Sequence, residues 1–283
     1  MTDPRRLTLG LLCGLIAGAF WGGVFLAPLL LVDFTPLQMT AGRYLAGNLI
    51  YYVGLAVAVQ NAGVAAASLI IGLLPVTVTL VGARPGEGVP LRRLAAPLAL
   101  LAAGVVCINI DVFRSGEGAP APRLILGVLG AVLALACWTL YAVWNARRLA
   151  STPTFNSHEW SLLTGVVTGA LSLVLIVPAF LAGGAAHGSS AWTLFWGVSL
   201  AVALGASVIG NGLWNAASRL LPLSLSGQLI VFETLFALLY GFLHEGRWPR
   251  PLESAAIALM LAGVLWSVSL HRPSGVASNM TGT

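Results

Sequence analysis

Apolar residues run through this chain in long stretches separated by short polar punctuation. The stretches fall at about 7–32, 37–59, 63–83, 93–113, 124–146, 159–182, 192–217, 222–244 and 252–270. Each is near the roughly 20 residues that a helix needs to cross a bilayer. Between them lie Asp33-Phe-Thr-Pro36, Gln60-Asn-Ala-Gly63, Arg84-Pro-Gly-Glu87, Gly116-Glu-Gly-Ala-Pro120 and Ser151-Thr-Pro153. The pattern predicts an all-α integral membrane protein with little chain outside the lipid. The first stretch follows Arg5 and Arg6 and is longer than a signal-peptide core of about 7–15 residues, so it is expected to be a retained first helix. The Ser/Gly-rich segment 273–283 reads as a disordered tail.

Two stretches look like copies. Gly14-Leu-Ile-Ala-Gly-Ala-Phe-Trp21 recurs in pattern as Ala131-Val-Leu-Ala-Leu-Ala-Cys-Trp138, a small-residue face ending in Trp. Gly47-Asn48-Leu-Ile-Tyr51 pairs with Gly210-Asn211-Gly-Leu-Trp214. Duplicated membrane helices point to a transporter of two related halves, 1–118 and 119–272, with the site where they meet.

Composition agrees. Of the 283 residues 58% are hydrophobic and 8% charged, against about a quarter charged in soluble domains. All fourteen basic residues are Arg. The net charge of +5 fits topology signals and anionic headgroups better than nucleic acid, and no nucleic-acid motif is present. Cys13, Cys107 and Cys137 lie in apolar runs without CxxC spacing and read as small core hydrophobes.

Charge also bears on topology. If 37–59 counts as two crossings, Arg5, Arg6, Arg84, Arg92, Arg93, Arg147, Arg148, Arg219 and Arg272 share one side and Arg114, Arg123, Arg247 and Arg250 the other. Counted once, the bias vanishes. The positive-inside rule favours two crossings, with both termini cytoplasmic in a cell inner membrane. Twenty-three residues cannot cross twice, which takes roughly 40. The chain is therefore expected to be short by a few tens of residues near Ala46–Gly47, relative to a parent of ten helices in two five-helix repeats of opposite orientation.

The chain has no HExxH, Gly-x-Ser-x-Gly, P-loop or His/Glu metal pair. Its histidines, His158, His187, His244 and His271, fall at helix ends or loops, so no enzyme activity, metal or cofactor is expected. Amphipathic aromatics and amides remain within the helices. Trp21 and Trp138 occupy matching repeat positions, and Tyr141 follows Trp138 by one turn. Asn48, Tyr51 and Tyr52 cluster with Tyr44 on 37–59; Asn211, Trp214 and Asn215 form the equivalent group later. An amide facing lipid would be unsatisfied, so these groups should face a cavity or a partner helix. The candidate substrate-binding set is Trp21, Asn48, Tyr51, Tyr52, Trp138, Tyr141, Asn211 and Trp214. Trp160, Trp192, Trp196 and Trp248 read as interfacial belt.

Two ionisable groups lie inside spans. Arg43 is near a helix start, where it can snorkel, and Glu233 is mid-helix. Glu233 is a candidate for coupling or for a structural hydrogen bond. Gly14, Ala17, Gly18, Gly22, Gly165 and Gly169 form small-xxx-small runs that permit close helix approach. Pro28, Pro75 and Pro178 are placed to bend spans.

Ser226-Gly-Gln-Leu-Ile-Val-Phe-Glu233-Thr-Leu-Phe, with Ala262-Gly263-Val-Leu, resembles the end of an EamA repeat. Gly72-Leu-Leu-Pro75-Val and Ala103-Gly104-Val resemble the same pattern in the first half. Phe20-Trp21-Gly22 and Cys137-Trp138 match its start, and Arg43 matches its second-helix Arg. The resemblance covers about 8–270 and is to the drug/metabolite transporter superfamily. Within it the chain is most similar to YddG-type exporters, through Ala136-Cys-Trp138-Thr-Leu-Tyr141 and Gly47-Asn48-Leu-Ile-Tyr51-Tyr52. Thr234 stands where the repeat has Pro. The resemblance implies ten helices around a central cavity and export of an amino acid, aromatic or large and apolar, by alternating access. The rivals are a broad drug or metabolite exporter and a membrane sensor or scaffold that moves nothing. A monomer is compatible with the pattern.

Overall fold

The structure, a computed structural model, describes residues 3–31, 33–34, 57–58, 61, 67, 70–83, 89–114, 121–151, 156–163, 165–167, 170 and 188–272. Among these residues every regular element is helical. The elements are α1 (Pro4–Gly22), a 3₁₀ turn (Gly23–Leu26), α2 (Ala27–Leu30), α3 (Leu74–Gly82), α4 (Leu91–Arg114), α5 (Ala121–Ser151) and α6 (Ser189–Val202). A π-helical segment (Ala203–Gly210), α7 (Asn211–Leu220), α8 (Leu223–Leu229), α9 (Val231–Glu245) and α10 (Pro251–His271) follow. Among the described residues four helical stretches are long and apolar enough to span a bilayer: Pro122–Ser151, Ser189–Leu220, Leu223–Glu245 and Pro251–His271. The hydropathy windows anticipate these and α4 to within a few residues. Arg43, Asn48, Tyr51, Tyr52, Gly169, Pro178, the tail 273–283 and the expected shortening at Ala46–Gly47 lie outside the described residues.

The first helix pairs with a helix more than two hundred residues away. Gly10, Gly14, Gly18 and Gly22 recur every fourth residue, so they line one face of α1. That face lies against Leu221, Leu229, Phe232 and Phe236 in turn, so α1 runs parallel to α8 and α9. The approach is close. A Cβ on Gly18 would stand 2.5 Å from Phe232 Cβ and 2.9 Å from its carbonyl carbon, and one on Gly22 2.8 Å from the Ala237 nitrogen. Two apolar helices in lipid gain little from hiding from water, so backbone proximity and dispersion hold them together. Tyr240 adds a polar tie, its hydroxyl donating to the Ala19 carbonyl at 3.2 Å. Gly165, by contrast, has open space beside it among the described residues.

The same logic joins α4 to α10, which run antiparallel. Gly104 faces Met260 and Ala256, and Gly263 faces Pro97 and Leu101. The two Ala-Gly-Val motifs thus supply the mutual close contacts of one helix pair. Parallel to each other are α3 and α5, bridged where Thr77 and Thr139 share a hydroxyl hydrogen bond of 2.8 Å and where Arg147 donates to the Val81 carbonyl at 3.3 Å. Antiparallel to α8 is α3, with Gly227 against Val78 and Thr79 and Gly82 against Leu223.

These pairings fix the direction of each helix. The start of α1, the end of α3, the start of α4, and the ends of α5, α7 and α10 share one face. That face carries Arg5, Arg6, Arg92, Arg93, Arg147, Arg148, Arg219 and Arg272, while Arg114, Arg123, Arg247 and Arg250 stand at the other. Arg84 falls outside the described residues. The first and last described helices therefore have their outer ends on the arginine-rich face. The opposite face has a tight α9–α10 turn. Gly246 ends α9 in the left-handed region at φ 61°, where glycine carries no Cβ penalty. Arg247 donates to both Glu253 carboxylate oxygens at 2.7 and 2.8 Å and pairs with Glu245. These bonds, Glu253 first, hold its guanidinium above its ordinary pKa.

Gly18→Ala puts a methyl group into backbone, which cannot yield as a flexible side chain does. The expected loss is about 1–3 kcal/mol, read as a fall in thermal midpoint in detergent. Gly241→Ala, with open space around it, is expected to be neutral or to stabilise by about 0.5–1 kcal/mol. Equal midpoints for the two variants would remove close approach as the reason for the glycine face.

Candidate functional site

Among the described residues four helical stretches depart from α geometry. After Gly22 the first span tightens into the 3₁₀ turn. Before α3 the chain turns at Gly72 and Leu73, with Leu73 N–H donating to the Ile70 carbonyl at 3.2 Å. Between α8 and α9 the helix breaks at Ile230, where Glu233 N–H reaches only back to the Ile230 carbonyl at 3.0 Å. Between α6 and α7 eight residues adopt π geometry. Trp21, Leu74, Ala206, Trp214, Ile230 and Val231 belong to one buried cluster, with Trp138 packed against it. Wide and broken turns release backbone groups that lipid does not satisfy, so they persist only where protein supplies partners.

Trp21 is such a partner. Its indole Nε1 donates to the Ala206 carbonyl at 3.1 Å, inside the π segment. The same carbonyl accepts from Asn211 N–H, which closes the segment. Gly210 makes room for this, since a Cβ there would stand 2.9 Å from Trp21 Nε1. The ring of Trp21 lies 5.4 Å from that of Trp214 and 6.3 Å, edge-on, from that of Trp138. Trp138 in turn lies 5.4 Å from Tyr141. Trp21 and Trp214 are buried, Trp138 and Tyr141 half-buried. The structure thus brings together Trp21, Trp138, Tyr141 and Trp214 of the sequence-derived set. The two repeat-matched tryptophans meet on helices that run in opposite directions. Asn211 is half-buried at the first position of α7. Glu233, half-buried, sits in the first turn of α9 with the backbone of its N–H against Gly18. A carboxylate there gains from the positive end of the half-helix dipole. Trp21, Trp138, Tyr141 and Trp214 thus form one continuous aromatic cluster.

A second polar group lies nearer the arginine-rich face. Asn145 Nδ2 donates to Asn215 Oδ1 at 2.8 Å, and Asn215 Nδ2 donates to Ser161 Oγ at 2.7 Å. Trp160 Nε1 donates to Asn145 Oδ1 at 2.7 Å. Asn145, Asn215 and Ser161 are buried. Trp160, read from position as belt, therefore closes a network that ties α5, the 157–163 helix and α7. An Asn inside each of two apolar spans was the available signal; the partners depend on tertiary placement. Among the described residues no cluster of His, Cys, Asp and Glu is arranged to hold a metal ion.

No family model matches the chain. The inner membrane protein YtfF of Escherichia coli (strain K12) is 31% identical over 304 aligned residues, which cover 92% of this chain and 94% of that protein. The chain belongs to the YtfF family. Because 92% of 283 residues meet 304 aligned positions, about 40 positions of the alignment have no residue in this chain. A solved crystal structure shares the fold of this YtfF relative with a TM-score of 0.69 at 20% identity, over 92% of this chain and 98% of that one. With its apolar spanning helices, this member of the YtfF family is an integral membrane protein.

A double-mutant cycle on Asn145 and Asn215 probes the polar network. Either Ala variant leaves a buried partner unsatisfied and is expected to cost about 1–3 kcal/mol. The double variant should cost less than the sum by about 0.5–3 kcal/mol, measured by denaturant unfolding in detergent. Strict additivity would mean that the two amides act independently.

Proposed function

We propose that the protein is an inner-membrane transporter that exports amino acids, with a preference for aromatic or large apolar side chains. The observation that carries this reading is the cluster of Trp21, Trp138, Tyr141 and Trp214, with Trp21 hydrogen-bonded to the π-helical segment. Discontinuous helices inside the bilayer are a recurrent way of exposing backbone dipoles to a substrate. The aromatic faces suit its side chain. In this proposal Asn211 bonds a polar end of the substrate, and Asn48, Tyr51 and Tyr52, which lie outside the described residues, are further substrate contacts carried from the sequence pattern alone. The substrate class and the direction of transport rest on the resemblance to EamA-type drug/metabolite transporters.

The arginine-rich face is cytoplasmic in this reading, following the positive-inside rule, so both termini are cytoplasmic. Inner-membrane residence follows the E. coli relative. The alignment positions that lack a counterpart here number close to the roughly 40 residues of two crossings, which supports a longer parent; its ten helices and the shortening near Ala46–Gly47 are part of the proposal. Substrate enters from the cytoplasm between the halves, which then rock to open outward. Glu233 is a candidate to couple a proton to that motion or to hold a structural hydrogen bond, as is Arg43, which lies outside the described residues.

Uptake and counterflow of labelled amino acids in proteoliposomes test the reading. Saturable flux favouring aromatic or large apolar amino acids is expected, and Trp138→Ala should lower it about ten-fold, the effect of losing ~1.4 kcal/mol of contact, while the protein stays folded by size-exclusion chromatography. Absence of flux for every amino acid from correctly inserted protein would overturn it.

A further inference from the structure

The π segment Ala203–Gly210 carries two glycines whose spacing, Gly205 to Gly210, fits its present geometry and not a regular helix. A Cβ on Gly205 would stand 3.1 Å from Phe20 Cδ1, and one on Gly210 2.9 Å from Trp21 Nε1. Both glycines therefore face the same stretch of α1. Bonding from residue i to residue i+5 brings every fifth residue back over the first. A Cβ on Gly210 would accordingly lie 3.4 Å from the Gly205 carbonyl oxygen. In an α-helix the same spacing turns through about 500°, which leaves the two glycines about 140° apart. Only one of them could then face α1.

Ser207 supplies an independent observation. Its hydroxyl oxygen is buried and has no hydrogen-bond partner. An α-helical hydroxyl can donate to the carbonyl four residues back, as Thr79, Ser161 and Thr193 do here at 2.7, 2.9 and 3.0 Å. For Ser207 that carbonyl belongs to Ala203, where the π segment starts, and the bond is not made. The π geometry thus holds the Trp21 indole on the Ala206 carbonyl and forgoes the bond that α geometry offers Ser207. One stretch of chain has two geometries, each satisfying a group that the other leaves.

The geometry points to a two-state helix segment latched by the Trp21 indole. While the indole donates to Ala206 the segment stays π, with Asn211 N–H closing on the same carbonyl. When the indole leaves, Gly210 N–H takes the Ala206 carbonyl, the Ser207 hydroxyl donates to the Ala203 carbonyl, and the segment is α. Passing one residue through the turn rotates α6 against α7 by about 100° and shifts it about 1.5 Å along the axis. Asn211 and Trp214 lie in the first turn of α7, so the rotation changes how α6 meets the tryptophan cluster. Release of the latch by a substrate that engages Trp21 rests on the transport reading; the latch itself does not. A bistable element of this kind converts a change in one hydrogen bond into a movement of a whole helix.

The test needs no substrate. Spin labels at Leu200→Cys and Gly212→Cys bracket the segment in the full chain, with Cys13, Cys107 and Cys137 replaced by alanine. Leu200 is exposed, and no described atom lies within 4 Å of a Cβ on Gly212, so both positions accept a label. Double electron–electron resonance in nanodiscs reads the distance between the labels, with no amino acid added. One distance is expected to dominate before Trp21 is changed. Trp21→Phe keeps a ring and removes the donor, so a second distance is expected, its ratio to the first raised about five-fold or more. Adding Ser207→Ala removes the bond that favours α geometry and should reverse most of that rise. An unchanged distribution in Trp21→Phe, or a shift that Ser207→Ala leaves intact, would overturn the switch. If Trp21→Phe does not fold by size-exclusion chromatography, Gly210→Ala, which pushes the same indole off its carbonyl, takes its place. If neither folds, the indole is a fixed structural tie and the proposal fails. Absence of amino acid flux in proteoliposomes, with the distance shift present, would count against the transport reading alone.

Discussion

A chain in lipid must satisfy its own backbone, and this requirement organises everything around the tryptophan cluster. A regular α-helix meets it without help. The π segment Ala203–Gly210, the break at Ile230, the turn at Gly72–Leu73 and the 3₁₀ turn after Gly22 do not. At the π segment a neighbouring side chain bonds the irregular backbone directly. That bond, from the Trp21 indole to the Ala206 carbonyl, depends on Gly210 having no side chain. The indole is a second donor to a carbonyl that Asn211 N–H already reaches, and the missing methyl group of Gly210 leaves it room.

Close approach is the second support, and glycine provides it in two geometries. Along α1 it brings the whole helix against α8 and α9 in parallel. Between α4 and α10 single glycines on each helix receive the other's side chains. Polar ties add to this, one across the glycine seam itself, where Tyr240 donates to Ala19, and others on α5. The Asn145–Asn215–Ser161 network and the Thr77–Thr139 bond both lie on α5, the helix that carries Trp138. Packing holds one repeat-matched tryptophan in place and hydrogen bonding steadies the helix of the other.

Much of this was legible in the sequence, for reasons that differ by feature. Helix positions followed from hydropathy because the bilayer imposes a length. The glycine face of α1 was visible as a four-residue spacing, and the meeting of Trp21 with Trp138 as a repeated pattern. The partner of that glycine face was not visible, since lipid-facing and protein-facing surfaces are both apolar and leave little contrast. Gly165 shows the limit: its spacing resembles that of Gly14 and Gly18, yet no described residue packs beside it. Trp160 shows another. Its place near a helix start fits an interfacial belt, and only the position of Asn145 across the helix pair makes it a hydrogen-bond donor.

The pairing of α1 with α8 and α9 also sets a clock on assembly. Gly14 meets Leu229, so the first helix made waits for a partner that lies 215 residues further along the chain. At synthesis rates of about 5–20 residues per second this interval is roughly 10 to 40 s. Throughout it the glycine face of α1 rests against lipid or against a temporary neighbour. For the nascent protein, that stripe of missing side chains is a period of vulnerability before it becomes a seam.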